Sequence, residues 1–438
     1  MNSWTHSAVL WRAAAGPRQR VNAVDTRHPL GYCGPPEQSH PLTFAMMTGV
    51  SHTALVDEDA VGSGSSSAAL LKATDPSRRH QKRVGVIGCG FIATEQHLSA
   101  LAGTAGVTIS AACDLDRDRL TNYAARAGLA PDQLYDDVGR MLDTADLDCV
   151  VIATPPASHA SLAAQALRAG KHVFCEKPMA QTLSEAREMA SAAAASGRAL
   201  GVMCNFLHFP EIVELRRLIA DLEPQRPRTI SLRGLGLGAD VEMIERYLRD
   251  PDTAVSGNAR GGIILDYAVH AIYVCNACLG SSPHTVTCRT ESSASGVESV
   301  ESSATCLLEY EETRVVLDLS WEPRTPTPER YLQRGELCVA YDDRLIEMSY
   351  AGNGEGLHAP ALGVIVTTAE GEAVIPIAPA TPSGKLRASF ARAFAGFFMC
   401  SVPQATLDPT GELALGAMAV IDACLTSAIT QRAVEHAR

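Results

Sequence analysis

Residues 84–93 read VGVIGCGFIA. An apolar run, Val84 to Ile87, meets Gly88 and Gly90, and Ala93 completes the pattern G-x-G-x-x-A. That order predicts a buried strand, a tight turn and a helix start. Gly88 can take backbone angles that a side chain forbids. Gly90 lets a pyrophosphate approach the main chain, and Ala93 lets the helix lie against the strand. The helix N-terminus offers free N–H groups and a partial positive charge to phosphate. Gly88, Gly90, Phe91 and Ile92 are therefore the expected phosphate-binding stretch.

Working outward, a helix over Phe91–Leu101 and a strand over Val107–Cys113 are expected next. The strand ends at Asp114, 26 positions after Gly88, near the roughly 20-residue spacing of a ribose-binding acid. A carboxylate there accepts hydrogen bonds from both adenosine ribose hydroxyls and repels a 2′-phosphate. NAD is expected rather than NADP. The alternation then continues: helix Arg117–Ala127, a short strand ending at Tyr135, helix Val138–Leu142 and strand Asp148–Ala153. Ser158 is placed to cap the next helix and Gly170 to end it in a left-handed turn. Strand His172–Cys175 follows. Thr182 and Glu185 form a T-x-x-E capping box for helix Leu183–Ser196, and strand Ala199–Cys204 closes the unit. Strands alternating with helices predict a doubly wound parallel sheet of Rossmann type.

Beyond residue 204 the pattern changes. A helix over Glu211–Leu222 precedes strands with period-two alternation at Thr229–Arg233, Ser302–Tyr310, Thr313–Trp321, Glu336–Tyr341 and Leu345–Tyr350. Leu386 to Ala437 reads as two helices split near Pro403 to Pro409. The fold class expected is α/β: an N-terminal Rossmann domain over residues 81–204, then a C-terminal α+β domain over 205–438 with a large, mostly antiparallel open sheet. Residues 1–80 are rich in Gly, Ser, Pro and Ala, and cannot bury enough apolar surface to offset their ordering entropy. They are expected to be a disordered extension, or an over-long reading with Met46 or Met47 as the start. Arg12, Arg18 and Arg20, with no acid before Asp25, give a slight transit-peptide character.

Composition bounds the function. Apolar residues make up 46% of 438, enough for substantial cores. The net charge of −12, with no dense Lys/Arg cluster, argues against nucleic acid as a partner. No uninterrupted apolar run reaches the roughly 18 residues of a membrane span. The 13 cysteines are scattered, several in expected strands, as small buried hydrophobes in a reducing compartment. A cytoplasmic protein is expected. Cys275 and Cys278 form C-x-x-C, but in mid-helix with no second ligand pair, so no metal site is expected.

Several segments, in order, resemble the glucose–fructose oxidoreductase / inositol dehydrogenase / rhizopine-catabolism (Gfo/Idh/MocA) family. They are the glycine turn with His97 in the following helix, ACDLDRDRL around Asp114, DCVVIATPPASH from Asp148 to His159, AGKHVFCEKP from Ala169 to Pro178, Asn205 with Pro210, and GGIILDYAVH from Gly261 to His270. The resemblance covers residue 81 to the C-terminus. It implies a catalytic Lys–Asp–His set at Lys177, Asp266 and His270. Glu176 would face the cofactor, Thr154, Pro155 and His159 would contact its nicotinamide half, and Asn205 would touch substrate or cofactor. It also implies a homodimer or homotetramer. One departure is Ala268, where the family often has Gly as D-x-G-x-H.

These residue types suit alcohol oxidation, in which a hydride leaves for nicotinamide and a proton leaves the hydroxyl. Asp266 and His270 are four apart and share a face if helical. His270 is a sound general base. Asp266 could orient it or bind a sugar hydroxyl. Lys177 can stabilise alkoxide character. Which of Lys177 and His270 takes the proton differs among relatives. The expected function is an NAD-dependent oxidoreductase on a secondary alcohol or ketone of a sugar, cyclitol or polyol. The alternatives are an NAD-dependent glycosidase working by transient oxidation and a non-catalytic dinucleotide sensor.

Overall fold

The opening apolar run forms β1, Lys82–Ile87, whose last four residues are buried. The computed structural model describes residues 81–237, 262–292, 301–322, 333–351, 363–377, 382–399 and 409–435. The extension expected over residues 1–80 lies outside these residues, as does most of the Pro403–Pro409 break. After β1 the expected helix contains a π-helical turn, Ala93–His97, that runs into α1, Leu98–Ala102. Then follow β2 (Val107–Cys113), α2 (Arg117–Ala127), β3 (Leu134–Tyr135), α3 (Val138–Thr144), β4 (Cys149–Ile152), α4 (His159–Arg168), β5 (His172–Cys175), α5 (Leu183–Ser196) and β6 (Leu200–Val202). All pair in parallel, in the order β3-β2-β1-β4-β5-β6. The order reverses between β1 and β4. The carboxyl ends of those strands are where such sheets bind ligands.

Local chemistry sets the helix ends. The Asp116 carboxylate accepts from the N–H groups of Asp118 and Arg119 and starts α2. Thr182 and Glu185 form the reciprocal box expected at α5. Gly170 takes the left-handed turn, with φ 74°. Ser158 does occupy the N-cap position of α4, but it caps no N–H: its hydroxyl is engaged by the Pro155 carbonyl and the Thr154 hydroxyl.

A 3₁₀ turn, Asn205–His208, leads to α6 (Pro210–Asp221), β7 (Thr229–Leu237), a second π-helical turn (Ile264–Ala268) and α7 (Val269–Leu279). The sheet strands are β8 (Thr285–Ser292), β9 (Glu301–Glu309), β10 (Arg314–Glu322), β11 (Gln333–Ala340), β12 (Arg344–Ala351), β13 (Val364–Thr368) and β14 (Gly371–Ile375). Helices α8 (Pro382–Met399) and α9 (Pro409–Thr430) precede β15 (Val434–Glu435). The nine strands lie in the order β14-β13-β12-β11-β7-β10-β9-β8-β15. Every described pairing is antiparallel except β7 with β10. Ala304, Cys306 and Leu308 on β9 and Val315, Leu317 and Leu319 on β10 alternate into the core. Burying each such side chain stabilises the fold by about 1.5–3 kcal/mol for the larger aliphatics.

The last two helices bind the halves together. Phe394 of α8 packs on His97 and Phe174, with ring centroids 5.2 Å from each. Thr410 of α9 accepts a hydrogen bond from the Val202 N–H on edge strand β6, at 3.0 Å. By length and composition α9 could cross a membrane. The helix carries Glu412 and Asp422 within its length. Here it is a core helix, packed on β8, α7 and α5.

Candidate active site

The glycine turn comes first. Gly88 has φ 90°, and a Cβ there would fall 2.7 Å from the Ala153 carbonyl oxygen, so the turn abuts the end of β4. A Cβ on Gly90 would meet nothing within 4 Å. Asp114 faces this turn: Oδ2 accepts from the Cys89 N–H at 2.6 Å and Oδ1 from the Asp116 N–H at 2.8 Å. A carboxylate has about four lone-pair sites, so both oxygens retain capacity for ribose hydroxyls. Phe91 and Leu115 are 66% and 88% exposed and offer apolar surface beside the same turn. An open glycine cradle, a fixed carboxylate and exposed apolar side chains fit a dinucleotide.

The loop after β5 carries Glu176, Lys177 and Pro178, and the Lys177–Pro178 peptide is cis. Glu176 is buried. Its Oε1 lies 2.7 Å from His97 Nε2, and its Oε2 accepts the Lys177 N–H at 2.9 Å. Burial works to raise this carboxyl, but the His97 hydrogen bond and the Lys177 charge outweigh it and hold the group below the ordinary carboxylate range. Glu176, expected to face the cofactor, thus braces the lysine loop against the first helix. The π turn is what carries His97 to it.

His159 is fully buried, with Nδ1 2.9 Å from the Pro178 carbonyl oxygen and Nε2 2.9 Å from that of Thr154. It ties the loop after β4 to the loop after β5. With no exposed surface, its ring meets the two loops through the Thr154 and Pro178 carbonyls. Asn205 is also buried, its amide 3.5 Å from the Ser389 hydroxyl on α8. Thr154 and Pro155 do lie at the switch point, on the loop that follows β4.

Lys177 reaches across to the second half of the fold. Its Nζ donates to Asp266 Oδ1 at 2.9 Å and to the Asp266 carbonyl at 3.1 Å. Asp266 lies in the second π turn. The turn is held by its neighbour Tyr267, whose ring lies where a Cβ on Gly234 of β7 would sit. His270 follows on α7, 4% exposed, its ring stacked on Phe206 with centroids 4.0 Å apart. Burial, then the nearby Lys177 charge, pull its pKa well below the ordinary histidine value. It is neutral at neutral pH. Its Nδ1 lies 2.6 Å from the Tyr273 hydroxyl, which also accepts the Phe206 N–H at 3.1 Å.

The structure therefore joins Lys177 directly to Asp266 and brings His270 within reach of the lysine's charge. Sequence reasoning missed Tyr273, Phe206 and Leu115. Tyr273 had a readable signal, since positions i and i+3 share a helix face. Phe206 had none, because its stacking is a tertiary contact.

Two family profiles match this chain. One, described as the oxidoreductase family with NAD-binding Rossmann fold, covers residues 82–204; the other, the GFO/IDH/MocA C-terminal domain, covers 215–337. The chain is 40% identical over 136 residues to D-apiose dehydrogenase of Paraburkholderia graminis, spanning 31% of this chain and 36% of that one. It is 28% identical over 346 residues to 1,5-anhydro-D-fructose reductase of Ensifer adhaerens, spanning 78% and 96%. Its fold resembles that of an Agrobacterium radiobacter oxidoreductase solved with NAD+, L-tartaric acid and magnesium, with a TM-score of 0.66 and 23% identity over 81% of this chain and 98% of that one. With both halves matched in order, the chain belongs to the GFO/IDH/MocA oxidoreductase family, whose first domain is an NAD-binding Rossmann fold.

Proposed function

We propose that the protein is an NAD-dependent dehydrogenase or reductase acting at a secondary alcohol or ketone carbon of a sugar, cyclitol or related polyol. The observation that carries this is the Lys177 ammonium, held 2.9 Å from Asp266 Oδ1, with the buried His270 four residues further along the same segment. An ammonium, a carboxylate and a neutral imidazole gathered at the carboxyl edge of a Rossmann sheet are what alcohol oxidation needs. The sugar specificities in the names of the apiose and anhydrofructose relatives support the substrate class.

NAD, when bound, supplies the hydride acceptor or donor. The Gly88–Ile92 turn would hold its pyrophosphate, Asp114 its adenosine ribose, and Thr154 and Pro155 its nicotinamide half. The protein's own groups handle the proton. Lys177 donates a hydrogen bond to the reacting oxygen and stabilises it as it gains alkoxide character. Asp266 holds that ammonium in place. His270 takes or returns the hydroxyl proton at Nε2. In oxidation, Nδ1–H donates to the Tyr273 oxygen. In reduction, the imidazolium returns that proton from Nε2 and Nδ1–H stays on the Tyr273 oxygen. One hydrogen bond thus serves both directions.

The test is a panel of sugars and cyclitols incubated with NAD+ and the full chain, followed by NADH absorbance. Reduction of NAD+ by one stereochemical class, abolished by Lys177→Ala, is expected. NADH binding with no turnover across the panel in either direction, or full activity in Lys177→Ala, would overturn the reading.

A further inference from the structure

A second cluster of reactive side chains lies on the far edge of the large sheet. Cys288 on β8 and Cys306 on β9 are directly opposed in register. The Cys288 N–H points away from β9 and donates to the Ser427 hydroxyl of α9 at 3.0 Å. The pair is therefore of the kind without mutual backbone bonds, in which side chains come closest. Their sulfurs are 3.0 Å apart. Cys424 precedes Ser427 by one turn of α9, and the same docking brings its thiol in. All three residues are at most 1% exposed, and their sulfurs lie within 4.8 Å of one another.

From this geometry we propose that Cys288, Cys306 and Cys424 form a three-coordinate site for a soft monovalent cation of the Cu(I) type. Trigonal coordination with metal–sulfur bonds of about 2.3 Å needs sulfur–sulfur edges of about 4 Å. The observed edges, from 3.0 Å to at most 4.8 Å, bracket that value. Soft sulfur ligands select Cu(I). Zinc prefers four ligands, and no fourth joins the group among the described residues. Charge favours the same ion. One cation displaces one proton, giving one thiolate, two thiols and a neutral complex, which a dry core tolerates. Since the ligands come from two strands and a helix, binding is linked to folding.

The full chain, reduced and anaerobic, is incubated with Cu(I) buffered by a competing chelator, both as purified and during refolding. Bound copper is counted after gel filtration. One copper per chain is expected, with a thiolate-to-copper absorption band and a higher thermal midpoint. Cys306→Val and Cys424→Ala should lose it, and Cys338→Ala should keep it. Should the first two variants fail to fold, thiol labelling of wild type in denaturant, which opens the buried thiols, decides, because bound copper should shield three more thiols than the metal-free protein does. No copper retained by either route, retention in folded Cys306→Val or Cys424→Ala, or shielding of other thiols overturns the proposal. So does an intact mass showing a Cys288–Cys306 disulfide in the reduced protein.

Discussion

Tyr273 couples the backbone of the Asn205–His208 turn to the imidazole of His270, because its one hydroxyl touches both the Phe206 N–H and Nδ1. Tyr273→Phe removes a hydrogen bond worth about 1–1.5 kcal/mol. It should lower kcat by about tenfold, leave KM nearly unchanged and move the pH dependence of kcat; an unmoved pH profile would reduce Tyr273 to packing. His270→Ala should cost about 10²-fold or more in turnover, and an effect confined to KM would make it a binding residue instead. At the other end of the cofactor, Asp114→Ser should relax the preference for NADH over NADPH, measured as the ratio of their dissociation constants. An unchanged ratio would remove Asp114 from that role.

At the scale of elements, the helix ends were legible because caps are local chemistry. Thr182→Ala breaks the reciprocal box at α5 and should cost about 1 kcal/mol in denaturant unfolding, with activity intact. The parallel strands were legible as well, since strands covered on both faces read as apolar runs. Other features were not. The two π turns leave no mark in apolar spacing, though one aims His97 at Glu176 and the other holds Asp266 at Lys177. Strand β8 was missed because its sequence, TVTCRTES, mixes polar residues into both faces. Strands β13 and β14 are short, and β14 is largely exposed, so neither has a core pattern to read. The residue types of the Lys–Asp–His set were legible in motifs. The meeting of Lys177 with Asp266 depends on the loop after β5 reaching the second π turn across the two halves, which no local pattern records.

For the whole molecule, buried histidines set a pH dependence. Burial lowers the pKa of His270 and His159, and of His208 to about 4. Each stays neutral in the native state while the unfolded chain takes up a proton near its ordinary value of about 6.5. The unfolded state then binds more protons, so stability falls as pH drops below about 6.5 towards each folded value, by up to about 1.4 kcal/mol per pH unit per histidine. Glu176, lowered in the fold, adds to the loss at more acidic pH. The thermal midpoint at pH 5.5 should lie below that at pH 7.5, and His208→Asn should flatten the difference. A pH-independent midpoint would mean these rings have access to water.

Thr410 closing the rim of β6 and Phe394 lying on His97 also impose an order of events during synthesis. The nucleotide-holding lobe is translated early, yet its outer rim and one greasy flank are finished only by α8 and α9, which follow much later in the chain. A nascent chain stopped after residue 204 would present raw strand and phenylalanine-sized hollows to its neighbours, inviting chaperones or proteases. Clipping α8 and α9 should therefore damage dinucleotide capture, although neither helix contributes a residue to the glycine turn.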